Sequence, residues 1–170
     1  MPAMSKNKER RHLAQVRPIL DKWWGEEFVN VPASGALRWG GKGGHWTYAD
    51  LVPPESFPFV VECKWHIEVD VDEILRKDWD QGRITWFWYD CTIKATLRAT
   101  EELGRHLHPM LIYRMNKMPN RLVLDLKFFN KLTAIIPHLA CHPERGSPFA
   151  IMDLKKFVDR VSRTDLEKIL

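Results

Sequence analysis

The tripeptide Glu62-Cys63-Lys64 lies inside the apolar run Phe59-Val60-Val61-Glu62-Cys63-Lys64-Trp65. An extended strand alternates its faces with period two. Phe59, Val61, Cys63 and Trp65 then share one face, and Val60, Glu62, Lys64 and His66 share the other. A carboxylate and an ammonium are set side by side, roughly 6–7 Å apart along the strand. Twelve residues before Glu62, Asp50 opens a second apolar stretch, Asp50-Leu51-Val52-Pro53-Pro54. Two acidic groups and a lysine in apolar surroundings need a reason, because buried charge is costly unless paired or bound to metal.

Hydrolysis of a phosphodiester requires a nucleophile, relief of charge on the phosphorane and help for the leaving oxygen, and a divalent ion supplies several of these. Mg²⁺ takes one or two carboxylates and keeps several waters. Asp50 and Glu62 on neighbouring strands are the candidate carboxylates, with the backbone carbonyl of Cys63 as a natural third ligand. Mn²⁺ has the same preference for oxygen donors. Lys64 is the candidate for orienting the attacking water or stabilising transition-state charge. The competing reading of Glu62 and Lys64 is a charge pair on a strand surface.

The elements that must position these groups are legible in outline. Ser5 to Trp24 reads as a helix capped by Ser5, with Leu13, Val16, Leu20 and Trp24 as its apolar stripe. Glu9 falls on that same stripe, and Pro18 is expected to kink or divide the helix. Phe28–Pro32, Tyr48–Val52, Phe59–His66, Met110–Arg114, Arg121–Lys127 and Phe149–Met152 read as strands. Asp70 caps a short helix through Trp79. Ile84–Leu103 is a longer helix ended by Gly104. Asp153 caps a last helix carrying Leu154, Phe157, Val158 and Val161. The expectation is an α/β domain, one unit over 1–170, with a central mixed sheet flanked by helices.

Between these elements, Ala33 to Trp46 is rich in glycine, with Ser34, Arg38, Lys42 and His45 interspersed. Gly40-Gly41-Lys42-Gly43-Gly44 lacks the spacing and preceding strand of a phosphate-binding P-loop, so no nucleotide cofactor is expected. A hairpin tip and a DNA-touching loop both fit this segment.

Composition narrows the partners. Of the 170 residues, 45% are hydrophobic and 28% charged, as in ordinary globular proteins, and the net charge of +4 suits a polyanionic partner. Three cysteines (Cys63, Cys91 and Cys141) form no pairing pattern and read as a reducing, cytoplasmic setting. No 18-residue apolar stretch exists, and the basic start from Met1 to Arg11 is not followed by an apolar segment. Neither a membrane span nor a secretory signal is expected. Cys141-His142 with His138 lacks the paired spacing of a zinc site. His106 and His108 read as helix-end or surface histidines. Most of the eight tryptophans are expected in the core.

The series Asp50 … Glu62-Cys63-Lys64 resembles the PD-(D/E)XK nuclease core. The wider pattern also includes Trp23-Trp24-Gly25, Val31-Pro32-Ala33-Ser34-Gly35-Ala36, Asp50-Leu51-Val52-Pro53-Pro54 and Phe57-Pro58-Phe59. It resembles Holliday-junction resolvases of the archaeal type, most closely their bacteriophage versions. The resemblance implies that Asp50 and Glu62 hold the metal, that Lys64 is the catalytic lysine, and that Ser34 contacts phosphate or water. The family's first-helix glutamate falls near Leu13, and Glu9 is the nearest carboxylate. Either the helix is shifted, or Pro18 alters its register, or the third carboxylate is absent. A glutamine common on the later helix of related phage sequences is replaced here by Trp88-Tyr89-Asp90.

The resemblance further implies a Mg²⁺-dependent enzyme acting on four-way DNA junctions as a homodimer, in a bacterial host's cytoplasm if phage-encoded. Lys6, Lys8, Arg10 and Arg11 on the first helix, with Arg38 and Lys42 in the loop, would track phosphates without reading sequence. A repair or restriction-like nickase of the same core, and a non-catalytic DNA-binding module, are the alternatives.

Overall fold

The computed structural model describes residues 3–30, 50–66, 83–143 and 146–170. The side chains of residues 3–7, Glu9, His66 and Arg83 fall outside that description. So do the Gly-rich segment with Ser34, Arg38 and Lys42, and the helix expected over Asp70–Trp79.

Helix α1 runs Ala3–Trp24 and starts before Ser5. It is not divided at Pro18, which stands inside it on the exposed side. The missing N–H leaves the Ala14 carbonyl without its helical partner, but that loss falls towards water rather than into the core. The buried stripe is His12, Val16, Leu20 and Trp24, while Leu13 is only half-buried. A histidine therefore occupies a core position at which the sequence suggested leucine.

Gly25 follows with a φ of +81°, a backbone state that glycine tolerates without Cβ strain, and its N–H closes onto the Asp21 carbonyl. The Asp21 carboxylate accepts the Phe28 N–H at 2.7 Å. Phe28 turns into the core, so strand β1 starts at Val29; its described part is Val29–Asn30, paired antiparallel with β2, Leu51–Val52.

The main sheet has five strands: β3 (Phe59–His66), β4 (His108–Met115), β5 (Arg121–Asp125), β6 (His138–Cys141) and β7 (Phe149–Asp153). Their spatial order is β3-β4-β5-β7-β6. The β3–β4 pair is parallel and the remaining pairs are antiparallel, so the sheet is mixed, as expected. β4 begins two residues earlier than the sequence suggested and includes Pro109. Pro109 lies before the first residue that pairs with β5, where a missing donor does least harm. β5 stops at Asp125, whose side chain caps the short helix α3, Leu126–Phe129, through the Phe128 N–H. β6, Asp125's capping role and the helix over Arg163–Glu167 are not legible in the sequence.

Helix α2 is assembled from Arg83–Trp86, a run of wide π-type turns over Phe87–Ile93, and Lys94–Leu103. Gly104 ends it with a left-handed φ of +61°, as its sequence position predicts. Helix α4, Leu154–Val158, is capped by Asp153, again as expected, though it is shorter than the stripe to Val161 implied. Helix α5, Arg163–Glu167, opens on a capping box between Ser162 and Asp165.

The sheet separates two cores, because alternate residues of each strand point to opposite sides. On one side Phe59, Val61, Cys63, Met110, Ile112, Leu122 and Leu124 pack with α1, α3, α4 and α5. On the other, Leu111, Tyr113, Val123 and Phe149 pack with Ile84, Phe87 and Trp88 of α2, and Val60 packs with Ala95 and Ala99. Trp24 and Trp88 are core residues, as expected, and Trp23 packs half-buried against the first core. Trp86 departs from that expectation and is 54% exposed.

Candidate active site

Strand β3 does what its alternation demands. Phe59, Val61 and Cys63 bury against α1, and Glu62 and Lys64 face the opposite side, under α2. Glu62 is 8% exposed, so its carboxylate is in the protein rather than on a solvated surface. The reading of Glu62 and Lys64 as a surface pair is therefore set aside.

Asp50, immediately before β2, reaches the same place from the neighbouring element. Its Oδ2 accepts the Cys63 N–H at 2.9 Å and lies 3.5 Å from Lys64 Nζ. Lys64 Nζ also donates to Glu62 Oε1. One ammonium thus bridges the two carboxylates, one from β3 and the other from the residue before β2. The outer edge of β3 supplies the Cys63 N–H, because β4 occupies only its other edge.

The electrostatics follow from this arrangement. Burial acts to lower the pKa of Lys64, but Asp50 and Glu62, together with the Glu62 hydrogen bond, outweigh it and raise the pKa above the ordinary lysine range. Lys64 is an ammonium. The Cys63 thiol is buried on the α1 side, and burial, with Asp50 and Glu62, raises its pKa well above the usual value. The Cys63 side chain lies on the face of β3 opposite to Glu62 and Lys64.

Sequence reasoning missed the role of α2. Trp88 is buried against Phe149, Tyr89 donates to the Ser147 carbonyl at 2.6 Å, and Asp90 pairs with Lys94. Cys91, the next residue, is the one whose thiol is in the field of Lys64, Glu62 and Asp50, and burial dominates the rise in its pKa. The π-type turns hold this register, with Thr92 Oγ1 donating to the Phe87 carbonyl at 3.0 Å and Thr96 Oγ1 to the Thr92 carbonyl at 2.8 Å. Such turns recur at functional sites because they shift which side chain faces inward. Nothing in the local sequence marks that shift.

Of the other predicted residues, Glu9 lies on α1 with its side chain outside the described set, as does Lys6. Arg10 and Arg11 are exposed and Lys8 is half-buried. Ser34, Arg38 and Lys42 lie outside the described residues. Cys141 is buried. His108 differs from expectation: it is half-buried between Phe59 and Phe128, and burial, then His106 and Lys131, push its pKa down to about 4.

Among the described residues, no group of three or more His, Cys, Asp and Glu side chains is placed to hold a metal. The groups that do converge are the Asp50 and Glu62 carboxylates, on the Lys64 ammonium. Carboxylate oxygens are donors that suit a hard divalent cation.

A family model described as "Phage putative PDDEXK endonuclease" matches residues 4–168. No curated protein and no solved structure matches the chain significantly. No helix among the described residues is long and apolar enough to cross a membrane.

Proposed function

The chain belongs to the phage PD-(D/E)XK endonuclease family, and on that premise we propose that it is a Mg²⁺-dependent DNA endonuclease that resolves four-way junctions by paired, symmetric nicks. The observation that carries the catalytic reading is the convergence of Asp50 and Glu62 on the Lys64 ammonium. Asp50, Glu62 and the Cys63 carbonyl are the groups that would hold the ion. When bound, it would supply an activated water and charge relief on the scissile phosphate.

The chain's own residues have distinct tasks in this reading. The Cys63 N–H fixes one Asp50 oxygen, and the other makes no hydrogen bond among the described residues. Burial of Glu62 holds it in one place, so little ordering is left to be done when substrate arrives. Lys64, charged and donating, stabilises the negative charge that grows on the phosphoryl oxygens. An arginine would replace it poorly, since a compact point charge fits between two carboxylates and a planar fork does not. Glu9 and Ser34 are proposed to complete the catalytic set. Lys6, Lys8, Arg10, Arg11, Arg38 and Lys42 are proposed to contact phosphates. The junction specificity rests on the Val-Pro-Ala-Ser-Gly-Ala string beside the nuclease core. It also implies two copies, because one site cannot nick two symmetric strands at once.

The test is cleavage of a labelled four-way junction and a linear duplex, each with and without Mg²⁺. Paired nicks in the junction alone, abolished by EDTA and by Asp50→Ala or Glu62→Ala, are expected. Equal cutting of the duplex would replace the resolvase reading by a nickase. Junction binding with no metal-dependent cutting would reduce the protein to a binding module. Wild-type rates in both alanine variants would remove the site assignment.

A further inference from the structure

We propose that the outward side of α2 is the seam along which two copies of this chain associate, antiparallel, across a two-fold axis. The proposal rests on the two-copy reading above and gives it a surface.

The inward side of α2 is spent on the sheet: Ile84, Phe87, Trp88, Thr92, Ala95, Thr96 and Ala99 are buried. Its outward side presents Trp86, Asp90, Lys94, Leu97, Arg98 and Glu101, all exposed. Trp86 is 54% and Leu97 64% exposed. The other exposed large apolar side chains, Val29, Met118, Ile135, Leu139 and Leu170, stand on separate strands, turns and termini. Only on α2, among the described residues, do two of them share one element.

The order of residues along that side is self-complementary. A two-fold interface makes residue i meet residue j and j meet i. With two α2 helices antiparallel and centred on Thr92, Asp90 of each copy falls opposite Lys94 of the other. Trp86 of each falls opposite Arg98, with Leu97 beside it. The opposed charges attract in this register, and the guanidinium meets an aromatic face. Within a single copy Asp90 and Lys94 already form an exposed (i, i+4) pair, so the same groups are poised to exchange partners between copies. A helix of this length spans about 30 Å, enough for a continuous helix-on-helix contact with axes roughly 8–10 Å apart.

This register can be tested without DNA or metal, which separates it from the catalytic reading. The full chain, Asp90→Lys, Lys94→Asp and a 1:1 mixture of the two variants are compared by analytical ultracentrifugation, with circular dichroism to verify folding. Wild-type dimers are expected. Each single variant places like charges opposite one another twice, and should weaken dimerisation about tenfold or more. The mixture restores both attractive pairs in a heterodimer and should recover association. An effect confined to one helix cannot produce that recovery. A monomeric wild type, or single variants as dimeric as wild type, would overturn the seam. So would Trp86→Ala that keeps the dimer but loses junction affinity, since the tryptophan would then be a DNA contact. Loss of cleavage with the dimer intact would count against the catalytic reading and leave the seam standing.

Discussion

Asp50→Asn separates the charge of Asp50 from its hydrogen bond. The asparagine amide oxygen can still accept the Cys63 N–H, now bound at 2.9 Å, so the local backbone is expected to hold. What is lost is one negative charge 3.5 Å from the Lys64 ammonium. At an effective dielectric of about 20, two unit charges at that distance attract by about 5 kcal/mol. Most of this is not a net contribution. The Lys64 and Asp50 side chains keep 21% and 25% exposure, and removing a charge also removes its desolvation cost. Glu62 still holds the ammonium. The net loss of stability should be about 1 kcal/mol, read by urea unfolding in EDTA. Cleavage should fall by about 10³-fold or more, equivalent to roughly 4 kcal/mol of transition-state stabilisation. The metal supplies a second readout. With Mg²⁺ at ten times its dissociation constant, the wild type should gain about 1.4 kcal/mol of stability, and Asp50→Asn should gain much less. Junction cleavage within tenfold of wild type, or an undiminished Mg²⁺-dependent gain, would refute the reasoning.

Three further outcomes follow from the fold. His12 is 1% exposed and edge-on to Trp65, and burial pushes its pKa down to about 4. The unfolded chain therefore binds more protons between pH 6.5 and 4, and stability falls as pH drops through that window. The loss from this group should be about 2 kcal/mol between pH 7.5 and 5, with a smaller loss from half-buried His108. A His12→Gln protein whose urea midpoints keep the full pH slope would exclude His12 as the cause. Pro18→Ala restores a donor to the Ala14 carbonyl at an exposed position of α1 and should stabilise by about 1–2 kcal/mol; a lower melting temperature would show that the proline is compensated elsewhere. Gly146→Ala asks for a side chain at φ +96° whose Cβ would lie 2.2 Å from Tyr89 Cζ. A loss of about 1–3 kcal/mol is expected, with the Tyr89 bond to Ser147 broken, and a change below about 0.5 kcal/mol would contradict that packing.

Much of this protein was legible from short-range rules. The strand over Phe59–His66 has the bounds its alternation suggested, and that alternation alone puts Glu62 and Lys64 on one side and Cys63 on the other. Asp153 and Gly104 announce a helix start and a helix end because capping involves only the nearest backbone groups. Other features depend on partners far along the chain. Asp50 docks on an N–H thirteen residues away, and the placement of β2 beside the outer edge of β3 makes that donor available. Parallel pairing of β3 with β4 brings together segments about fifty residues apart, and no local preference encodes it. Trp86 and Trp88 are alike in the sequence, yet one is exposed and the other buried. The sheet beneath α2 and the π-type turns decide between them, as they decide that Cys91 borders the site. Propensity, alternation and capping act over a few residues, so the sequence can place a chemical group on an element and on a face. Which groups then meet is set by how the elements pack, and that is a property of the whole fold.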